Sequence, residues 1–183
     1  MKNTYQIDAV HSNLQFSVRH LMVSNVRGTF SGVTGTVIYD PDKPTETSVE
    51  ASVDVNTVNT NEEKRDGHLK SPDFFDVAQY PVMTFKSKRV EGGTATEQKV
   101  VGDLTLHGVT KEVTLTVDEI SGEAKDMYGN TKIGATVKGK LKRSDFGLVW
   151  NAPLETGGVV ISDDVKIEFD LQFLKAAPQV ATA

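Results

Sequence analysis

The chain of 183 residues contains no cysteine and a single tryptophan. Without cysteine there is no disulfide framework, no thiolate nucleophile and no thiolate metal ligand. Long apolar runs are missing too: no stretch approaches the ~18 apolar residues that a membrane span requires. The opening residues, MKNTYQIDAVHS, lack the basic n-region and apolar run of a secretory signal. The expectation is a cytoplasmic chain as written, or a periplasmic one if a signal has been removed. An excess of positive charge is also absent. The formal net charge of −5 and a pI near 5.4 leave no basic face large enough to track phosphates, so nucleic acid is not expected as a partner. Catalytic signatures are equally scarce, with no G-x-S-x-G elbow, no G-x-x-x-x-G-K-S/T loop, no H-E-x-x-H and no calcium-loop pattern. The four histidines, His11, His20, His68 and His107, are scattered without the spacing of a metal site. No metal, no cofactor and no catalytic residue is assigned from these patterns.

What the chain does have is alternation. In DDVKIEFDLQFLK, Val165, Ile167, Phe169, Leu171 and Phe173 share one face and charged or polar residues the other. The same period of two runs through Leu14, Phe16 and Val18, through Val49, Ala51, Val53 and Val55, through Val113, Leu115 and Val117, and through Ile133, Ala135, Val137 and Leu141. In VRGTFSGVTGTVIYD the apolar parity changes around Gly28, Gly32 and Gly35, which predicts a bulge or bend. About eight strands follow, near 4–8, 13–20, 26–39, 48–56, 82–91, 98–107, 111–120 and 132–142, with 164–174 as a ninth or a closing partner for the first. No long helices flank them, so the sheet is expected to be antiparallel, as a barrel or a two-sheet sandwich. One domain over 1–175 with a disordered tail at 176–183 is the expected organisation.

One stretch breaks the pattern. RDGHLKSPDFFDVAQYP, residues 65–81, holds a histidine, three aspartates, two adjacent phenylalanines and two prolines. Thr60 and Glu63 have the spacing of a capping box ahead of one short helix. Ser71 and Pro72 suit the start of a second, which Tyr80-Pro81 would end. His68, beside Asp66 and near Asp73 and Asp76, reads either as an acid/base or metal-binding group or as one polar residue on a surface helix. His20 continues the inward parity of its strand, so it is either a rim residue or a contact for the polar end of a ligand. His107, just before Gly108, needs no more than a turn to explain it. Phe74 and Phe75 diverge by about a hundred degrees on a helix, so they either complete the core and cover its rim or close a cavity mouth.

Taken in order, DAVHSNLQFSVRH, VRGTFSGVTGTV, RDGHLKSPDFFDVAQYPVMTFKS, GDLTLHGVTKEVTL and SDFGLVWN closely resemble the YceI-like family of polyisoprenoid-binding lipid carriers, from about Tyr5 to Leu174. The resemblance implies an all-β fold, an extended, eight-stranded, antiparallel lipocalin-like barrel with the short helical insert near one end. It also implies an apolar interior for a polyisoprenoid, an isoprenoid quinone or a fatty-acid derivative, and a carrier rather than an enzyme. Many members carry a secretory signal and work in the periplasm; this chain shows none.

On that reading the inward rows become the tunnel lining. They supply Phe16, Val18 and His20, then Val53 and Val55, Met83 and Phe85, and Leu104 and Leu106. Leu115 and Val117, Ala135, Val137 and Leu141, and Ile167 and Phe169 follow, with Phe74, Phe75, Phe146 and Trp150 at the mouth. Small residues at Ala51, Ala135 and Gly139 would leave room between the larger ones. The compatible partners are an apolar lipid, a membrane during loading, and a second copy in a homodimer. Two other readings stand beside this one. One is a small barrel enzyme using His20 or His68 with a carboxylate; the other is a ligand-free β-sandwich interaction module with a filled core.

Overall fold

The computed structural model describes residues 1–177 except Ala95 and Thr156. The strands are β1 (Asn3–Ile7), β2 (Asn13–His20), β3 (Ser24–Phe30), β4 (Gly32–Tyr39), β5 (Ser48–Asp54), β6 (Val82–Gly93), β7 (Gln98–Leu106), β8 (Val109–Asp118), β9 (Ala124–Lys125), β10 (Thr131–Lys142) and β11 (Ile161–Lys175). The one α-helix among the described residues, α1, spans Glu63–Lys70. The expected tail, 176–183, lies outside the described residues from position 178 onward.

All pairings between strands are antiparallel, and they close on themselves. One edge of β11 pairs with β10 along its length. The other edge pairs with β2 over Ile161–Asp170 and with β1 over Phe173–Lys175. A 3₁₀ turn at Ala9–His11 separates β1 from β2, so the two share one lane. β3 and β4 share the next, split at Ser31 where the apolar parity changes. With β5, β6, β7, β8, β10 and β11 they make a closed eight-stranded barrel, and the two-residue β9 merely extends β10's edge. The sandwich is therefore ruled out by the β10–β11 seam.

Register explains why one face turns inward all the way round. Across the seam Ile133 meets Phe173, Ala135 meets Leu171, Val137 meets Phe169 and Leu141 meets Val165, so both apolar rows fall on the same side. The space foreseen at Gly139 is not there. A Cβ on Gly139 would lie 2.8 Å from Leu115 Cδ2 and 3.1 Å from Ile167 Cγ1, so neighbouring side chains have closed over it. Gly28 is used likewise: Phe16 sits opposite in register, and its ring covers the glycine 2.3 Å from where a Cβ would stand.

The insert between β5 and β6 holds one helix, not two. Thr60 and Glu63 form no capping box. Glu62 is the N-cap instead, accepting from the Lys64 and Arg65 backbone N–H groups at 3.1 and 2.7 Å. Thr60 is occupied elsewhere: its hydroxyl and N–H both donate to Asp66, and Arg65 donates to its hydroxyl and carbonyl, each at 2.8 Å. Ser71 closes α1 rather than opening a second helix, since its N–H and hydroxyl both return to the His68 carbonyl. The chain after it runs through turns to Pro81.

Candidate functional site

The inward rows do not meet in the middle. Three separate apolar clusters surround a cavity of about 440 Å³ lined almost wholly by carbon. Cores of ordinary density leave no such void, so the filled-core alternative fails. The cavity reaches from a floor at the β1 and β7 strand starts, where Val37, Val49, Gln98 and Ile133 line it, to a mouth beneath the insert. Phe85, Leu115, Ala135, Ile167 and Phe169 line its middle.

Nearly every residue read from the sequence faces this space. Phe16, Val18, His20, Val53, Met83, Leu104, Leu106, Val117, Val137 and Leu141 line the wall, and Phe74, Phe75, Phe146 and Trp150 its upper end. Val55 is the correction. β5 stops at Asp54, whose carboxylate accepts from the Asn56 N–H at 2.9 Å and starts a 3₁₀ turn. That turn takes Val55 off the inward row and buries it against Leu14, Phe30 and Val53.

The adjacent phenylalanines divide the mouth between them. Phe74 is buried with Leu106, Phe146 and Leu148, whereas half-buried Phe75 packs against both that cluster and the one around Phe30, with its ring edge-on to Phe30 at 5.8 Å. The insert thus spans two clusters. His68 helps to fix it, lying edge-on to both Phe74 (5.0 Å) and Trp150 (4.9 Å) with Nε2 bonded to Asp73 at 2.8 Å. Among the described residues no cluster of histidine and carboxylate groups could hold a metal. His20 lines the cavity rim opposite Ile161. His107 braces the neighbouring connection, with Nδ1 bonded to the Phe146 carbonyl at 3.1 Å and its ring against Tyr80.

The residue that sequence reading missed is Arg143. It is buried, and its guanidinium donates to the carbonyls of Ser162, Leu148, Trp150 and Ile161. These bonds set the course of the 143–161 connection that carries Phe146 and Trp150. Burial pulls its pKa below the usual guanidinium value, with the Asp163 charge opposing. The signal for it was parity, because 143 continues the inward row 133, 135, 137, 139, 141; the run KRSD reads instead as surface charge. Arg65 and Thr60 line the mouth as well, and Gln98 lines the floor with a buried Nε2 that has no hydrogen-bond partner among the described residues.

A closed antiparallel barrel around an elongated apolar cavity, with this insert across its end, has clear relatives. A family model described as the YceI-like domain matches residues 5–173. The chain belongs to this family. Its relatives include UPF0312 protein SA2479 of Staphylococcus aureus, 40% identical over 170 residues that cover 92% of this chain and 96% of that protein. The solved YceI protein of Campylobacter jejuni is 33% identical, with a TM-score of 0.73 over 87% of this chain and 90% of that one. A Saccharophagus degradans domain described as polyisoprenoid binding shares the fold at 21% identity and a TM-score of 0.65, covering 94% and 98%.

Proposed function

We propose that this YceI-like protein binds a long-chain apolar lipid, an isoprenoid or isoprenoid quinone or a fatty-acid derivative, inside the barrel for transport, storage or sequestration. The observation that carries the reading is the continuous apolar cavity of about 440 Å³, within the usual range for small-molecule sites. A slender hydrocarbon needs no directed hydrogen bonds to occupy it. Each buried CH₂ is worth about 0.8 kcal/mol, so a five-carbon isoprene unit contributes roughly 4 kcal/mol before ordering costs. The polyisoprenoid-binding description of the Saccharophagus degradans neighbour supports the same class of ligand. The reading needs no resident cofactor and no chemical step.

Organic extraction of the purified protein followed by mass spectrometry tests it, with a stoichiometric lipid as the expected result. The control is Ala135→Trp, which places an indole in the middle of the cavity opposite Leu171. Overpacking of this kind costs a core about 1–3 kcal/mol, so the variant is expected to fold and to lose most of its lipid. Extracts free of lipid from protein challenged with polyprenols and fatty acids would overturn the proposal, as would full occupancy in a folded Ala135→Trp variant.

A further inference from the structure

From Ala9 to Tyr39 the chain contains no aspartate or glutamate, although its net charge is −5. The β2–β3 hairpin occupies the middle of this acid-free stretch and carries Arg19 and Arg27 on its flanks. Neither arginine makes an ion pair among the described residues. Between them the tip reads Leu21-Met22-Val23, and all three side chains are exposed, at 41%, 58% and 72%. A lone exposed apolar residue is ordinary; three in succession at a loop tip are not.

The backbone makes the choice of residues stranger still. The Val23 N–H closes the turn onto the His20 carbonyl at 3.1 Å, with φ of 51° at Leu21 and 60° at Met22. Positive φ at both central positions is the demand of a mirror-image turn, which asparagine and glycine meet at little cost and leucine and methionine do not. The tip therefore sets apolar side chains in water on a backbone that disfavours them. It is also held firmly: Arg19 Nη2 donates to the Met22 carbonyl at 3.0 Å, and the Leu21 N–H donates to the Val160 carbonyl at 2.8 Å.

The tip borders the cavity mouth. Val160, Ile161 and His20 all line the cavity, and Ile161 faces His20 in the ladder. Met22 lies beside Gly158, next to the exposed Val159. The carboxylates at the start of β11 are engaged, Asp163 by Ser144 and Asp164 by Lys140. What remains is an apolar wedge with cationic flanks and no acidic residue on the hairpin itself.

We propose that the β2–β3 tip is a membrane-docking wedge for anionic bilayers: Leu21, Met22 and Val23 enter the interface while Arg19 and Arg27 meet lipid phosphates. Apolar insertion and cation–headgroup attraction are the two terms that hold a protein at such a surface. Docking there brings the mouth to the lipid source, a role that rests on the lipid-binding reading above, while the docking itself can be measured without any cargo.

The test is flotation of the purified protein with phosphatidylglycerol vesicles and with phosphatidylcholine vesicles. The wild type should float with the first more than the second, and added salt should weaken the difference. The decisive variant is Leu21→Asn with Met22→Gly, which supplies the residues the turn prefers. It should keep or raise the thermal midpoint and retain bound lipid, yet lose roughly 10-fold or more in vesicle partition. Val23→Glu, outside the two strained positions, is the second variant and should lose vesicle binding as well. A wild type that ignores both vesicles, or variants that bind as it does, overturns the proposal. So does a wild-type dimer that the double variant dissociates without either protein binding vesicles, since the tip would then be a contact between copies. Vesicle binding by protein found free of extractable lipid would uphold the wedge and overturn the lipid-binding reading instead.

Discussion

The barrel's two ends are closed by different physics. At the floor the strand ladders themselves do the work. β1 pairs with β4 on one side and β11 on the other, and Tyr5, Tyr39, Ile133 and Phe173 are buried between them. Charges finish that end: the Tyr5 hydroxyl donates to Glu123 at 2.7 Å, Lys175 joins the same carboxylate at 2.6 Å, and the N-terminal amine meets Asp40 at 2.9 Å. At the mouth no strand crosses. α1 buries none of its residues, and the cover is held by Phe74, His68 and Trp150 packing ring to ring and by Phe75 against Phe30. Ladder contacts open only with the fold, whereas a short helix held by a few rings opens locally. The difference makes the mouth the natural route for a ligand.

The largest expected effect tests whether the mouth is soft throughout. Arg143→Leu leaves four carbonyls without their donor in a buried setting. Each of these acceptors left buried without a donor costs about 1–3 kcal/mol. Urea midpoints should therefore fall as far as for a core truncation, because Arg143 frames the mouth rather than covering it. A loss below ~1 kcal/mol would mean that the whole end is loosely held and that the frame and cover are not distinct.

That division also marks what could be read from sequence. The barrel was legible because register turns alternation into position: once Val165, Ile167 and Phe169 face inward, pairing carries the choice to β10 and β2. The cavity wall followed from the same parity. The failures share a cause. Val55 left the row because the local Asp54 turn outweighed alternation. Gly139 was filled by Leu115 and Ile167, whose reach across strands no period reveals. Arg143 and the Thr60–Asp66–Arg65 knot depend on chain segments that meet only in three dimensions. The second helix failed because Ser71 turned back to the His68 carbonyl.

Of intermediate size are the two phenylalanines. Phe74 is 7% exposed and buried with Leu106, Phe146 and Leu148, so Phe74→Ala should cost close to the ~3–5 kcal/mol of a buried phenylalanine. Half-buried Phe75 should cost clearly less. Both variants should release lipid to acceptor liposomes faster than wild type, and Phe75→Ala should do so out of proportion to its lost stability. If Phe75→Ala releases lipid at the wild-type rate, the side of the cover against Phe30 is a fixed plug, and passage lies by Trp150.

The smallest effect belongs to the floor and concerns pH. The Lys175 bond, and after it the Tyr5 hydroxyl, hold the Glu123 carboxyl below its ordinary value. In the same contact burial and the Glu123 bond push the Tyr5 hydroxyl well above its own. A carboxyl whose folded pKa lies below its unfolded one binds its proton more weakly when folded. Its contribution to stability is then fully present above the unfolded value, about 4.3 for glutamate, and is lost as pH falls through the folded value. Glu123 is partly exposed, so solvent keeps the contribution small. Glu123→Gln should lower the thermal midpoint slightly at pH 7, with the gap to wild type closing as both are taken to acid. Lipid release, governed at the other end, should not change at any pH where both proteins stay folded. A gap that persists unchanged in acid would show that the carboxylate charge does not bind the floor together. Faster release from Glu123→Gln would show that the floor, too, lets lipid through.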